Sequence, residues 1–270
     1  MFKIISTKNL APNVFSIEIS APDIAWRAKP GQFVMLKIDD KGERIPLTIA
    51  DIDKAMSSIK IIFQVVGNTT RRLSTLSESD LIMDVLGPLG RKTELKHYGT
   101  IVAVGGGVGI AELYPVVKSF KELGNKVYTI IGARSRELLI LEKELKTLSD
   151  LLYITTDDGT YGEKGFVTDV LRRILEEGHK VDLVYAIGPT LMMKKVSDTT
   201  QGFKVNTIVN LNPIMVDGTG MCGSCRVTIG GKARFACVDG PEFDAHQVDF
   251  DELFLRQKTF IAQERKYLKP

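Results

Sequence analysis

The chain has 270 residues and carries 36 basic against 33 acidic side chains, a formal charge of +3. That length holds one large domain or two ordinary ones with real cores, and a composition 44% hydrophobic and 26% charged excludes disorder and collagen. So small a net charge, with no run of five basic residues, argues against nucleic acid as a partner. The longest apolar stretch, Ile101 to Ala111, is interrupted by four glycines and falls far short of the ~20 residues a membrane span needs. The N-terminus, MFKIISTKNL, lacks the apolar core of a signal peptide, so the expected location is cytoplasmic and no membrane partner is expected. Three cysteines cannot close a disulfide framework in a reducing compartment.

In chain order, Val14–Ile19, Gly31–Ile38 and Ile59–Val66 alternate with a period of two and are separated by turn residues such as Pro12-Asn13 and Lys29-Pro30-Gly31. This predicts a small antiparallel β barrel. Near Thr100 the pattern changes. Strands at Thr100–Val104, Lys126–Ile131, Leu152–Thr155 and Leu183–Ile187 alternate with helices at Ile110–Leu123, Glu137–Leu148, Val167–Glu177 and Thr190–Val196. That alternation predicts an α/β domain with a parallel sheet. Regularity stops from about Asn210 to Gly240, where all three cysteines lie, and Asp251–Tyr267 reads as a terminal helix.

Three groups of residues carry chemistry. In the barrel, Arg44-Ile45-Pro46-Leu47-Thr48 places a cation and a hydroxyl around a proline, and Gly67-Asn68-Thr69-Thr70 follows a strand. Arginine's planar fork suits a phosphate, although each motif alone is an ordinary pattern. In the α/β region Gly105-Gly106-Gly107-Val108-Gly109-Ile110 sits where a strand gives way to a helix, the place at which amide groups and the helix dipole bind a pyrophosphate. Ile110 stands where a strict G-x-G-x-x-G would have its third glycine, and a tight packing turn is the alternative. Asp157-Asp158 and Gly188-Pro189 end later strands, at the edge where ligands of open parallel sheets lie. Arg134 and Arg136 follow the next strand where an acid would hold both ribose hydroxyls, which suits the 2′-phosphate of NADP(H).

The third group is Asp217-x4-Cys222-x2-Cys225-x11-Cys237 in a glycine-rich setting. A plant-type two-iron cluster uses C-x4-C-x2-C and a distant cysteine, so Asp217 stands at the first cysteine's place. Zinc, a C-x2-C redox pair, or His246 as the fourth ligand remain alternatives at this point.

The order of these motifs resembles the ferredoxin–NADP reductase superfamily over nearly the whole chain. The resemblance implies an antiparallel FAD-binding barrel over 1–97, an NAD(P)-binding parallel α/β domain over 98–208 and a C-terminal [2Fe-2S] segment with a helix over 209–270. Arg44, Pro46, Leu47 and Thr48 look like the flavin motif, with Arg44 on the pyrophosphate and Thr48 near N5. Gly67, Thr69 and Thr70 look like the flavin-pyrophosphate segment. Gly105, Gly106, Gly107, Gly109, Ile110, Arg134, Asp157, Asp158, Gly188 and Pro189 fall on its nucleotide-binding surface. Two branches add a two-iron cluster: the electron-transfer subunits of dihydroorotate dehydrogenase, with four cysteines, and the small subunits of NADH-dependent reduced ferredoxin:NADP oxidoreductases, with an aspartate and three cysteines. Asn212 to Gly223 is similar to the second. That branch implies metal ligands Asp217, Cys222, Cys225 and Cys237, NAD(H) rather than NADP(H), and a larger flavin and iron–sulfur partner subunit through which ferredoxin is reached in electron bifurcation.

Overall fold

The computed structural model describes residues 1–261, and the chain divides into two compact units. Of the described residues, the first contains 1–92, 212–241 and 249–261; the second contains 93–211 and 242–248.

The first unit opens with β1 (Phe2–Ala11), β2 (Val14–Ser20), a short helix α1 (Pro22–Arg27), β3 (Phe33–Lys37), β4 (Ile45–Asp53), β5 (Ser58–Gln64), α2 (Asn68–Leu73), β6 (Leu81–Ile82) and β7 (Asp84–Leu89). The strands form one sheet in the order β6-β1-β2-β5-β4-β3-β7, and every pairing is antiparallel. The two outer strands are consecutive in the chain with Met83 alone between them, which bends the sheet round into a nearly closed barrel. Alternation puts Ile17, Ile19, Ile59, Ile61, Val34, Leu36 and Ile49 inside. The barrel predicted from the period of two is therefore observed, while α1 and α2 were hidden in segments that read as turns.

The second unit runs β8 (Thr100–Gly106), α3 (Gly109–Glu122), β9 (Lys126–Ala133), α4 (Glu142–Leu148), β10 (Leu151–Thr156), β11 (Glu163–Lys164), α5 (Val167–Glu176), β12 (Leu183–Ile187), α6 (Thr190–Phe203) and β13 (Thr207–Asn210). β8, β9, β10, β11, β12 and β13 pair in parallel, as the alternation predicts. The helix expected from Glu137 is shorter, because Leu141 takes a left-handed φ of +55° and α4 starts only after it. α6 continues well past Val196, to Phe203.

After β13 the chain re-enters the first unit, forming the hairpin β14 (Arg226–Ile229) and β15 (Lys232–Phe235) and the short α7 (Ala236–Asp239). It then adds β16 (Glu242–Asp244) antiparallel to β13 in the second unit, and returns to the first as α8 (Phe250–Gln257). The residues that read as one terminal segment, 209–270, are thus shared between both units. The part of the expected terminal helix beyond Ile261 lies outside the described residues. Among the described residues no helix is long and apolar enough to cross a membrane.

β16 carries a buried acid. Glu242 Oε1 accepts from Thr93 Oγ1 (2.5 Å) and Tyr185 OH (2.7 Å), and burial raises its pKa above the ordinary 4.5. The folded state therefore holds the proton over a pH range in which the unfolded chain has released it. Stability falls as pH rises from about 4.5 through the folded value. Glu242→Gln is expected to be more stable than the parent at pH 7, with the difference shrinking as pH falls towards 4. Urea unfolding across that range checks it; a gain that stays constant or grows on acidification contradicts it.

Candidate functional site

In the second unit β8 ends in Gly105 and Gly106, Gly107 turns the chain at φ +57°, and α3 begins at Gly109. Two neighbouring glycines do opposite things. A Cβ on Gly109 would stand 2.8 Å from both Gly188 Cα and Ile187 O, so this residue lets α3 start against the end of β12. A Cβ on Gly107 would meet nothing within 4 Å, which leaves open space over the turn for a ligand to approach the backbone. Gly105 and Gly106 are packing positions too, against Leu113 and Met192. Ile110, in the third glycine's place, is fully buried in the first turn of α3.

The other candidates of this unit gather at the same carboxyl edge of the sheet. Gly188 and Pro189 link β12 to α6. Arg134 follows β9, and its carbonyl accepts from Asp158 N (3.2 Å); Asp157 N donates to Ala133 O (3.1 Å). Asp158 is held in an exposed turn in which its carboxylate accepts from Thr160 N and Oγ1, and these bonds lower its pKa. Arg136 lies over the Tyr161 ring at 4.9 Å. This stack was not legible in the sequence, since α4, β10 and a turn separate the two residues.

In the barrel, Pro46, Leu47 and Thr48 lie on β4 opposite Met35, Val34 and Phe33. Arg44 immediately precedes β4, and its Nη1 ion-pairs Asp84 Oδ2 at 2.7 Å on the surface. Gly67 caps α2, and the Thr70 hydroxyl accepts from Val66 N (3.0 Å) and Gly67 N (3.1 Å) while donating to Gly67 O (3.1 Å). One donor and two acceptor sites are all a hydroxyl has, so Thr70 builds the turn. Thr69 is buried beside it. Arg72, unmarked in the sequence, pairs closely with Asp39 and pulls that carboxyl below its usual range.

The third group lies in the first unit, with Asp217, Cys222 and Cys225 on a loop that has no strand or helix between Asn210 and Arg226, and Cys237 on α7. Gly218 has φ +78°, and a side chain there would run into Met35 Cγ at 2.5 Å, so the loop lies directly on β3. The Asp217 carboxylate organises it, accepting from Thr219 N (2.5 Å), Thr219 Oγ1 (3.1 Å) and Cys222 N (2.8 Å). The amide of Thr219 above all lowers its pKa. Cys222 is exposed, with Sγ 3.2 Å from Ser224 Oγ, a contact that lowers the thiol's pKa. Cys225 and Cys237 are buried with their sulfurs 3.2 Å apart, and burial together with that contact pushes the Cys237 thiol up to about 12. The candidate donors thus fall into two pairs, Asp217 with Cys222 and Cys225 with Cys237. Among the described residues no three His, Cys, Asp or Glu side chains surround a single point as one metal ion would require. Two pairs of donors suit two irons, each with two protein ligands. His246 lies in the second unit, with Nε2 2.9 Å from Thr200 Oγ1.

Sequence reading missed the support of this loop by α8. Arg256 Nη2 donates to Ser224 O (3.0 Å), and Gln257 Nε2 donates to Asn212 O (3.0 Å) and Oδ1 (3.1 Å). Nothing local in the sequence pairs residues more than 30 positions apart.

The family model of the iron–sulfur cluster binding domain of dihydroorotate dehydrogenase B matches residues 212–249, and that of the oxidoreductase NAD-binding domain matches residues 103–198. The chain is 48% identical over 263 residues to a Thermotoga maritima protein described as a dihydroorotate dehydrogenase B (NAD(+)) electron transfer subunit homolog, covering 97% of this chain and 93% of that one. It is 33% identical over 254 residues to the electron transfer subunit of dihydroorotate dehydrogenase B from Desulforamulus reducens, covering 91% and 96%. A chain of the solved NADH-dependent reduced ferredoxin-NADP oxidoreductase, a structure described for flavin-based electron bifurcation, superimposes with a TM-score of 0.94 at 46% identity, covering 99% of this chain and 96% of that one.

The two glycines give a testable contrast. Gly109→Ala is expected to cost about 1–3 kcal/mol of stability, since backbone must move. Gly107→Ala should cost no more than about 1–2 kcal/mol for its left-handed φ but weaken NADH binding by roughly tenfold or more, equivalent to ~1.4 kcal/mol. Thermal unfolding and NADH titration separate them. Unchanged NADH affinity in Gly107→Ala would show that the open space is not the dinucleotide's.

Proposed function

The chain belongs to the family of dihydroorotate dehydrogenase B electron-transfer subunits and their homologues, within the ferredoxin–NADP reductase superfamily, and from that premise we propose that it is the small subunit of a bifurcating reduced ferredoxin:NADP oxidoreductase. It is an oxidoreductase subunit with an NAD-binding domain and an iron–sulfur domain. On this reading it passes electrons between NAD(H), FAD and a [2Fe-2S] cluster, to or from a larger flavin and iron–sulfur subunit that deals with ferredoxin. The flavin supplies the exchange between a hydride and single electrons, and the cluster carries the single electrons.

This chain's residues bind and orient. Arg44, fixed beside β4 by Asp84, presents a guanidinium suited to the flavin pyrophosphate. Thr48 on β4 offers a hydroxyl for the flavin ring, and α2, which starts after Gly67, offers the backbone amides of Thr69 and Thr70 for the phosphates. The open face of Gly107, flanked by Gly188-Pro189 and by Arg134 with Asp157 and Asp158 at the sheet edge, receives the dinucleotide. Asp217, Cys222, Cys225 and Cys237 hold the cluster. NAD(H) is favoured over NADP(H) by the similarity to an NADH-dependent protein, although Arg134 and Arg136 are at hand for a 2′-phosphate.

The observation that carries the choice of branch is the aspartate in the first ligand position, paired with Cys222 by a 2.8 Å hydrogen bond in a loop shaped to hold it. A second reading, the electron-transfer subunit of a dihydroorotate dehydrogenase, is favoured by the cluster-domain model that matches 212–249. Asp217→Ala is expected to lose or destabilise the cluster, and Asp217→Cys to retain it with an altered electron paramagnetic resonance spectrum and a lower potential. Iron and sulfide content alongside the spectra measure this. Parent-like spectra in both variants would remove Asp217 from the ligand set. Dihydroorotate oxidation by the complex isolated with its natural partner would establish the second reading instead.

A further inference from the structure

α8 begins by burying Phe250 and Leu253. Arg256 stands three residues after Leu253, on the same helix face, so its stem is carried along the packed side and its head reaches the cluster loop. There the guanidinium makes a specific contact: Nη2 donates at 3.0 Å to the carbonyl of Ser224, the residue between Gly223 and Cys225. Its Nε is buried and has no hydrogen-bond partner among the described residues. No acidic side chain among the described residues pairs with it. A half-buried cation with an orphaned N–H costs free energy unless an anion or acceptor compensates it. The loop it touches carries Asp217, Cys222 and Cys225, and Cys237 on α7 lies with its sulfur 3.2 Å from that of Cys225; three thiols and a carboxylate are a donor set that binds metal as anions.

We propose that Arg256 is the residue by which this chain raises the reduction potential of its cluster. The inference rests on reading Asp217, Cys222, Cys225 and Cys237 as the ligands. Reduction adds one electron and no proton, so the charge of the cluster falls by one while every bond to the protein remains. A fixed cation beside the loop gains more from the reduced state than from the oxidised one, and the gain is larger where solvent is excluded. Gln257 makes a useful contrast. It is the next residue of α8 and also grips the loop, through Asn212, but without charge.

The test is a redox titration of the full-length, cluster-loaded protein, following the reduced cluster by electron paramagnetic resonance. Arg256→Gln keeps a donor for Ser224 O and removes the charge. It is expected to lower the midpoint, so that the ratio of reduced to oxidised cluster at the parent's midpoint falls by roughly threefold to tenfold, tenfold corresponding to 59 mV for a one-electron couple. Arg256→Lys should recover most of the difference, and Gln257→Ala should leave the midpoint unchanged. An unshifted Arg256→Gln overturns the proposal. So does an equal shift in Gln257→Ala or in Arg256→Lys, which would make the effect one of loop position. Loss of iron in Arg256→Gln would assign the residue to holding the loop and equally overturn the tuning role. Parent protein isolated without iron and sulfide would instead overturn the ligand assignment itself.

Discussion

A loop that wraps a metal cluster cannot also pair its backbone into a sheet, so something else must hold its shape. Here the segment between β13 and β14 contains neither strand nor helix. Three supports replace them, all within the first unit. Gly218 presses backbone against Met35 on β3, the Asp217 carboxylate collects the amides of Thr219 and Cys222, and α8 fastens Ser224 and Asn212 from outside. The barrel is therefore more than a flavin scaffold: its β3 strand is the floor on which the candidate ligands are set.

This constraint accounts for the winding of the chain. A free-standing cluster segment would have little apolar surface to bury and would be marginal by itself. By returning to the barrel after β13, lending β16 to the parallel sheet and coming back as α8, the chain gives its least regular stretch the support of the barrel's core. β16 requires burial of Glu242, and its partners Thr93 and Tyr185 satisfy one carboxylate oxygen within the second unit.

Much of this was legible in the sequence. The periods of two and of roughly 3.6 marked the barrel and the α/β unit, because in both a buried face repeats along the chain. The glycine turn was visible as a string, although its division into packing residues and the one open position, Gly107, depends on β12 and α6, far away in the chain. The donor set was readable because ligand spacing is local from Asp217 to Cys225. What remained hidden was long-range or conformational: the hairpin β14–β15 inside a stretch that looked irregular, the interruption at Leu141, and the grip of Arg256 on Ser224. Thr70 illustrates a further limit. It looked like part of the flavin-pyrophosphate segment, whereas its hydroxyl is used up in capping its own turn.

In the proposed function one carboxylate and three thiolates hold two irons. Mössbauer spectroscopy of the oxidised, 57Fe-enriched protein tests it most directly, because an iron bound by Asp217 and Cys222 has a different coordination from one bound by Cys225 and Cys237. Two quadrupole doublets of equal area are expected, the oxygen-ligated iron having the larger isomer shift. A single doublet from two equivalent all-sulfur irons, or a protein that holds zinc in place of iron, would contradict it.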